Sequence, residues 1–406
     1  MRVLIVSQYF WPENFRVNDL ATELVNKGHQ VTVLTGWPNY PDGQVFPAFR
    51  EHPNAFQSLS NVEIVRVPLV PRGSGGLRLM LNYLSFTLSA SILGAWKLRG
   101  RAFDVVFVNQ LSPVTVGLPG ALIAKLKRAP MAMWVLDLWP DTLHAIGVVR
   151  SPKVLSWVGQ LVAFIYRRCD LVLAQSKSFI PEIRKLAPPG KAVEYLPSWA
   201  EDIFQSTEVS PASEITQQEG SFDVMFAGNI GEAQDFPCIL GAAELLKHHA
   251  HIRWLIVGDG RMRAWVEQEV ERRGLLKNVL LLGRFPVERM PSFYQRAHAL
   301  LVTLQDKPIF AMTIPGKLQS YLAAGRPVVA ALNGEGAALV REAGAGHVCA
   351  AGDSQGLADA VLTLSRMTDA ERQKMGRKGR QISEQEFERS AVLGKLEGLL
   401  LSMRAT

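Results

Sequence analysis

The sequence predicts an α/β chain of two doubly wound parallel-sheet domains, and three observations predict it. Short apolar runs alternate with helix-length stretches through residues 1–200, the rhythm of parallel strands joined by crossover helices. That rhythm pauses in the polar stretch from Gln205 to Gly220, rich in Ser, Thr, Gln and Glu, and restarts at Phe222. A chain of 406 residues with 48% hydrophobic and 20% charged residues is long enough to bury two cores.

The elements follow in order. Arg2 to Ser7 reads as a strand, Asn18 to Lys27 as a helix closed by Gly28-His29, and Gln30 to Leu34 as the next strand. His29 is expected to stabilise that turn. Short apolar runs at 62–67, 103–108, 131–136 and 171–174 supply four more strands, each bounded by helical stretches. After the linker, strands are expected at 222–228, 252–257, 279–282, 299–303, 327–330 and 347–349, with helices at 237–247 and 262–273. The tail from Asp369 to Met403 is amphipathic and helical. Domains are therefore expected at 1–204 and 205–384, with a terminal helix at 385–406 packing back on the first. Two such domains facing one another leave a cleft at the carboxyl ends of their strands, where ligands bind in sheets of this kind.

Charge and cysteine usage narrow the class. Cys169, Cys238 and Cys349 lie far apart without metal-ligand spacing, which argues against a disulfide framework or a zinc site and for a reducing compartment. The chain opens on a strand, so no cleavable signal peptide fits and a cytoplasmic location is expected. Of the net charge of +7, much is concentrated early: Ile64 to Leu136 holds nine Lys or Arg against one acid, Asp104. An anionic partner is implied. No recognition helix, zinc finger or aromatic RNA-binding signature is present, so no nucleic acid is expected, and an anionic membrane surface fits better. Leu79 to Trp96 is 18 residues without a charge. Asn82, Ser85 and Ser89 share one helical side, which fits a crossover helix better than a membrane span; its outer side either faces solvent or dips into the interface between flanking arginines and lysines.

The stretch from Asp306 to Ala330 carries the ligand chemistry. Thr313 suits a helix cap, Pro315 the first turn and Gly316 a close backbone approach. Lys317, Leu318, Tyr321 and Leu322 continue at helical spacing to Gly325, and Pro327 to Ala330 reads as a buried strand. Amides at such a helix start, beginning near Ile314 and with Lys317 in the first turn, form a pocket for a diphosphate. Three other strand ends close with small or phosphate-tolerant residues: Gly228-Asn229-Ile230-Gly231, Gly258-Asp259-Gly260 and Gly283-Arg284-Phe285. The second lacks the third glycine and following acid of a dinucleotide fingerprint, so a dehydrogenase is disfavoured. Asp137 stands at the carboxyl end of the strand MAMWVL, placed to position an acceptor hydroxyl or accept its proton, with capping ahead of Trp139-Pro140 or bonding to the Asn39-Tyr40 turn as competitors. No Asp-x-Asp pair sits at a strand end, so no metal is expected.

Taken together, FAGNIGEAQDF (226–236), LIVGDG (255–260), LLGRFP (281–286) and PGKLQSYLAAGRPVVA (315–330), with residues 7–43, VLDLWPD (135–141) and LPSWAEDIF (196–204) in the first half, resemble the GT-B glycosyltransferases, specifically the retaining family four and its WbuB-type L-fucosamine transferase branch. The resemblance implies two Rossmann-like domains and a UDP-sugar donor substrate with no other cofactor. It further implies transfer with retention to a polyprenyl-diphosphate-linked saccharide, made by an enzyme of O-antigen or capsule synthesis peripheral on the inner leaflet of a bacterial cytoplasmic membrane. Members of the family carry two glutamates before the buried strand, the second binding ribose. Here these positions hold Met312 and Ser320, leaving the Ser320 hydroxyl, or neighbouring Gln319, to bond the ribose. The diphosphate-binding Arg and Lys are replaced by Asn229 and Gln234, so cationic help is expected from Lys317, Arg284 and Arg16. The family's glycine pair near the first loop is replaced by Asn14-Phe15-Arg16, and Arg16 is expected to face the cleft. Two rivals stay open: a GT-B UDP-sugar epimerase, and a non-catalytic nucleotide-sugar or lipid-binding protein.

Overall fold

The computed structural model describes residues 1–41, 43–73, 75–145, 147–205 and 209–404. Asp42 of the first motif, residues 206–208 of the polar linker and the last two residues of the segment expected as a terminal helix lie outside that set. The chain divides into two compact units, Met1–Leu196 with Leu393–Thr406, and Pro197–Val392. This boundary precedes the 204/205 division expected from sequence, and the returning segment begins at Leu393 instead of 385. The physical reason is bonding into the second unit. Gln319 Nε2 donates to Ser198 O at 2.8 Å, Ala200 N to Phe387 O at 3.1 Å, and Phe204 stacks on Tyr294 at 5.5 Å.

The first unit holds an eight-stranded sheet. Its strands are β1 (Arg2–Val6), β2 (Gln30–Gly36), β3 (Ser58–Leu59), β4 (Val62–Val67), β5 (Val105–Gln110), β6 (Met131–Val135), β7 (Leu171–Ala174) and β8 (Ala192–Tyr195), in the order β3-β4-β2-β1-β5-β6-β7-β8. All pairings are parallel except β3 with β4. β1, β5 and β6 are buried at almost every position, as strands covered on both faces require. Helix α1 (Arg16–Asn26) crosses from β1 to β2, α2 (Gly76–Lys97) from β4 to β5, α3 (Gly117–Lys127) from β5 to β6, α4 (Pro152–Arg168) from β6 to β7 and α5 (Phe179–Leu186) from β7 to β8. The chain reverses direction across the sheet between β1 and β5, which makes their carboxyl ends the switch point of this unit.

Helix α2 is built inside out relative to an ordinary surface helix. Its polar side faces the protein: Asn82 is fully buried and donates to Val70 O at 2.7 Å, Ser89 Oγ donates to Pro68 O at 2.6 Å, and Ser85 Oγ accepts Val70 N at 2.9 Å. Its apolar side faces outward, with Leu77, Met80, Leu81, Leu84, Leu88, Ile92, Leu93 and Trp96 all exposed.

The second unit has a six-stranded, wholly parallel sheet. Its strands β9 (Phe222–Ala227), β10 (Ile252–Val257), β11 (Val279–Gly283), β12 (Ala299–Thr303), β13 (Val328–Ala331) and β14 (Gly346–Cys349) run in the order β11-β10-β9-β12-β13-β14. Its helices are α6 (Phe236–Leu245), α7 (Arg263–Arg272), α8 (Met290–Arg296), α9 (Gly316–Ala323), α10 (Gly334–Ala343), α11 (Ser354–Arg366), α12 (Asp369–Glu386) and α13 (Arg389–Arg404), the last continuing into the first unit. His29 meets that returning segment, its Nε2 lying 2.7 Å from Glu397 Oε1. The switch point falls between β9 and β12, which pair only through Val224–Ala299 and Met225–Leu300 and then diverge. Where they part, the buried Tyr321 hydroxyl accepts Ala227 N at 2.9 Å and donates to Ala227 O at 3.1 Å. The backbone groups left outside the ladder are thereby satisfied, and α9 is pinned to the end of β9.

Candidate functional site

In the second unit the strand ends are held together by glycine. Gly228 and Gly258, both at φ +147°, pack back to back, so a Cβ at position 258 would lie 1.9 Å from Gly228 O. A Cβ at Gly260 would meet Ile230 O at 2.4 Å and Asn229 Oδ1 at 2.6 Å. Only glycine fits either place. Asn229 thus lies back along the turns, and Gly258 N donates to Gly283 O at 2.7 Å, tying the third strand end into the same rim. Arg284, just past the end of β11, is exposed, whereas Phe285 turns inward against Phe293 at 4.5 Å.

Lys317 is the centre of the arrangement. It lies in the first turn of α9, where Tyr321 holds the helix against β9. Its Nζ donates to Gln234 Oε1 at 2.5 Å, sits 3.7 Å above the Phe226 ring and lies 3.1 Å from where a Cβ on Gly228 would be. Gln234 is fixed in turn, its carbonyl accepting Thr303 Oγ1 from the end of β12. Among the described residues no carboxylate pairs with this ammonium, and desolvation pulls its pKa down to about 7. The helix start carries no side-chain cap. The cap expected from Thr313 is not made, because its hydroxyl donates back to Ile309 O at 2.9 Å. Ile314 is buried and Pro315 is the N-cap, so the helix begins at Gly316. A half-buried cation with no carboxylate partner among the described residues, beside a helix start without a side-chain cap, is an arrangement suited to an anion.

Ser320 lies one turn further along and is buried. Its hydroxyl donates to Glu201 Oε2 at 3.2 Å and to Gly316 O at 3.4 Å. Glu201 was not singled out in the sequence, since it lies over a hundred positions away on the chain before β9. It puts a carboxylate where the Ser320 position had none.

In the first unit, Asp137 follows β6 beside the switch point, and its carbonyl accepts Gln110 Nε2 at 2.9 Å. Its carboxylate accepts Thr142 Oγ1 at 2.5 Å and Trp139 Nε1 at 3.2 Å, and burial pushes its pKa up to about 6. The bond to the Asn39-Tyr40 turn, the competing role for Asp137, is made instead by Glu13, whose Oε1 accepts Asn39 N at 2.8 Å and Tyr40 N at 2.7 Å. Burial raises Glu13 to about 7, and Arg66 lies close enough to oppose that rise while donating to Gly36 O at 2.9 Å and to Trp11 O. Glu13 and Arg66 are buried struts that set the loops after β1 and β2. Arg16 opens α1 behind Phe15, whose ring stacks on Tyr9 at 5.5 Å. Among the described residues no three His, Cys, Asp or Glu side chains converge as a metal site.

Comparisons with known proteins agree with this architecture. Residues 14–199 match the family described as Glycosyl transferase 4-like domain, and residues 221–367 match Glycosyl transferases group 1. WcaI of Escherichia coli (strain K12), named as a colanic acid biosynthesis glycosyl transferase, is 26% identical over 343 residues, covering 80% of this chain and 82% of its own. The Anabaena protein HepE, crystallised with UDP and glucose, superposes with a TM-score of 0.70 at 17% identity, over 99% of this chain and 100% of its own. WaaG, a glycosyltransferase involved in lipopolysaccharide biosynthesis, superposes at 0.67 with 15% identity, over 98% of this chain and 99% of its own. Two doubly wound sheets, each with its own matching family and a fold shared with HepE and WaaG, lead to one conclusion: the chain is a glycosyltransferase with the GT-B architecture, its second unit matching group 1.

Proposed function

We propose that this glycosyltransferase moves an N-acetylated hexosamine or deoxyhexosamine from a UDP-sugar to a polyprenyl-diphosphate-linked saccharide during bacterial surface polysaccharide synthesis. Transfer proceeds with retention, without a metal, on the cytoplasmic side of an anionic membrane. The observation that carries the donor assignment is Lys317, an ammonium with no carboxylate partner among the described residues, in the first turn of a helix without a side-chain cap. Cleaving the sugar–phosphate bond leaves a nucleoside diphosphate, and the chemical task is to stabilise charge growing on it. Lys317 and the amides near Ile314 and Gly316 offset that charge, Gln234 orients the lysine, and the glycine turns at 228, 258 and 283 admit the nucleotide to the backbone. Ser320, backed by Glu201, takes the ribose hydroxyls. Asn229 lines the nucleotide, Phe285 supports the rim from within, and Arg284 and Arg16 add positive field. Asp137 accepts or positions the acceptor proton.

WcaI and WaaG, by the polysaccharides in their names, support the acceptor class. The outward apolar side of α2, between Arg72, Arg78, Lys97 and Arg99, supports membrane contact. The WbuB-type branch suggests an L-fucosamine donor. A panel of UDP-linked sugars, each with a short polyprenyl diphosphate saccharide, read by mass, tests the proposal. One donor giving a product heavier by one sugar residue is expected. UDP-sugar consumption without any acceptor, or UDP binding without turnover across the panel, overturns it.

A further inference from the structure

Helices α2, α3 and α4 arise from three successive crossovers in the same direction across the first sheet, which sets them side by side on one face. α3 packs against both α2 and α4. Of the nineteen exposed large apolar side chains among the described residues, twelve lie on these three helices, including Leu122 and Leu126 of α3 and Val154 and Trp157 of α4. The same three helices contain no Asp or Glu. Between α3 and α4 lies a groove of about 430 Å³, with Leu118, Leu122 and Phe164 along its floor and Lys125, Arg128 and Arg168 at its rim. Arg168 also stands over the Phe164 ring at 5.1 Å.

We propose that this groove binds an anionic glycerophospholipid, its phosphate among the three rim cations and the first carbons of an acyl chain along the apolar floor. Cations in a last helical turn complement the helix dipole and need no ligand by themselves. The exposed Leu122 and the half-buried Leu118 and Phe164 beside them are not explained that way. A free phosphate would leave that floor in water, and an apolar protein segment would leave three cations unmatched. A lipid of the surrounding bilayer satisfies both, and α3, which lines the groove, also packs against α2, whose apolar side faces outward. The inference rests on the membrane contact proposed above and names the lipid chemistry of that contact.

The test uses the full chain with vesicles of phosphatidylcholine, alone or mixed with phosphatidylglycerol. Lys125→Glu/Arg128→Glu/Arg168→Glu is expected to lower partition onto the mixed vesicles on the order of a hundredfold, at about fivefold per residue. Arg78→Glu/Arg150→Glu/Lys153→Glu, at the other end of the same helices, should lower it less. Leu122→Trp, which fills the floor and keeps every charge, should lower it several-fold, with thermal unfolding and turnover on detergent-dispersed acceptor at wild-type values. Equal losses from the two charge reversals, or an unaffected Leu122→Trp, mean diffuse attraction and overturn the site. A Leu122→Trp change from dimer to monomer without loss of vesicle binding assigns the groove to a second copy and also overturns it. Wild-type protein that ignores the mixed vesicles yet transfers sugar in detergent overturns the membrane contact and leaves the donor chemistry standing.

Discussion

Replacing Lys317 with Met should make the protein more stable and nearly inactive. The native ammonium is held near pKa 7 against an ordinary 10.5 by desolvation. Below pH 7 it is charged in both folded and unfolded states and the folded state bears the whole cost. Between about 7 and 10.5 the folded protein binds fewer protons than the unfolded chain, so stability rises with pH across that window. At 1.36 kcal/mol per unit the full shift corresponds to about 5 kcal/mol, which partial exposure of the side chain reduces to about 2. Met keeps the stem over Phe226 and removes the charge. A rise in Tm of roughly 4–8 °C at pH 6, shrinking by pH 9, follows from about 2–4 °C per kcal/mol in a domain of this size. Function moves the other way. Loss of one charge-assisted contact to phosphate weakens UDP about ten- to a hundredfold, and loss of its field lowers kcat about 10²–10³-fold. Calorimetric melts, UDP titration and mass-detected transfer measure all three. A variant that melts lower than wild type and transfers within fivefold of it refutes the reasoning.

Other outcomes follow from the same geometry. At pH 8 most of the apo Lys317 is neutral, so UDP should draw a proton onto it; titrations in buffers of different ionisation enthalpy should show close to one proton taken up at pH 8 and little at pH 6, and the Met variant should show neither. Asp137→Asn should remove the acid limb of kcat/KM, which in the wild type is expected near pH 6 from the raised carboxyl, and lower the plateau about a hundredfold or more; an unshifted profile returns Asp137 to a purely capping role. Glu201→Gln should weaken UDP about tenfold while leaving affinity for inorganic diphosphate unchanged, and equal losses for both ligands would place its effect on the helix and not on ribose. Glu13→Ala should cost about 3 kcal/mol in urea unfolding, because the buried amides of Phe10, Asn39 and Tyr40 then lose their acceptor and Arg66 a buried countercharge; a change below about 1 kcal/mol would mean those amides find water instead.

Strands were legible where the physics is local. MAMWV, LVLA and IRWLIV are apolar at almost every position because both faces are covered, and their bounds fall within about a residue of the structure. β8 was not anticipated: AVEY alternates buried and exposed, as an edge strand does, and four residues are too few to separate from a loop. The helix at Gly316 was readable from Pro315 and Gly325, yet its cap was not, since Thr313 had a nearer acceptor in the preceding turn. Lys317 could be singled out by position, but Phe226 beneath it, Gln234 beside it and the absence of a carboxylate are products of β9 and α9 meeting. Glu201 and Glu13 were invisible for the same reason. Each acts on groups brought near by the fold, and nothing in the spacing of the chain reports such a meeting.

A crystal structure of the protein with UDP is the most direct measurement. The diphosphate is expected in the second unit, its oxygens within hydrogen-bonding reach of Lys317 Nζ and the first amides of α9, with the ribose toward Ser320 and Glu201. Density for the nucleotide away from the ends of β9 and β12, or a bound diphosphate that leaves Lys317 on Gln234 alone, would contradict it.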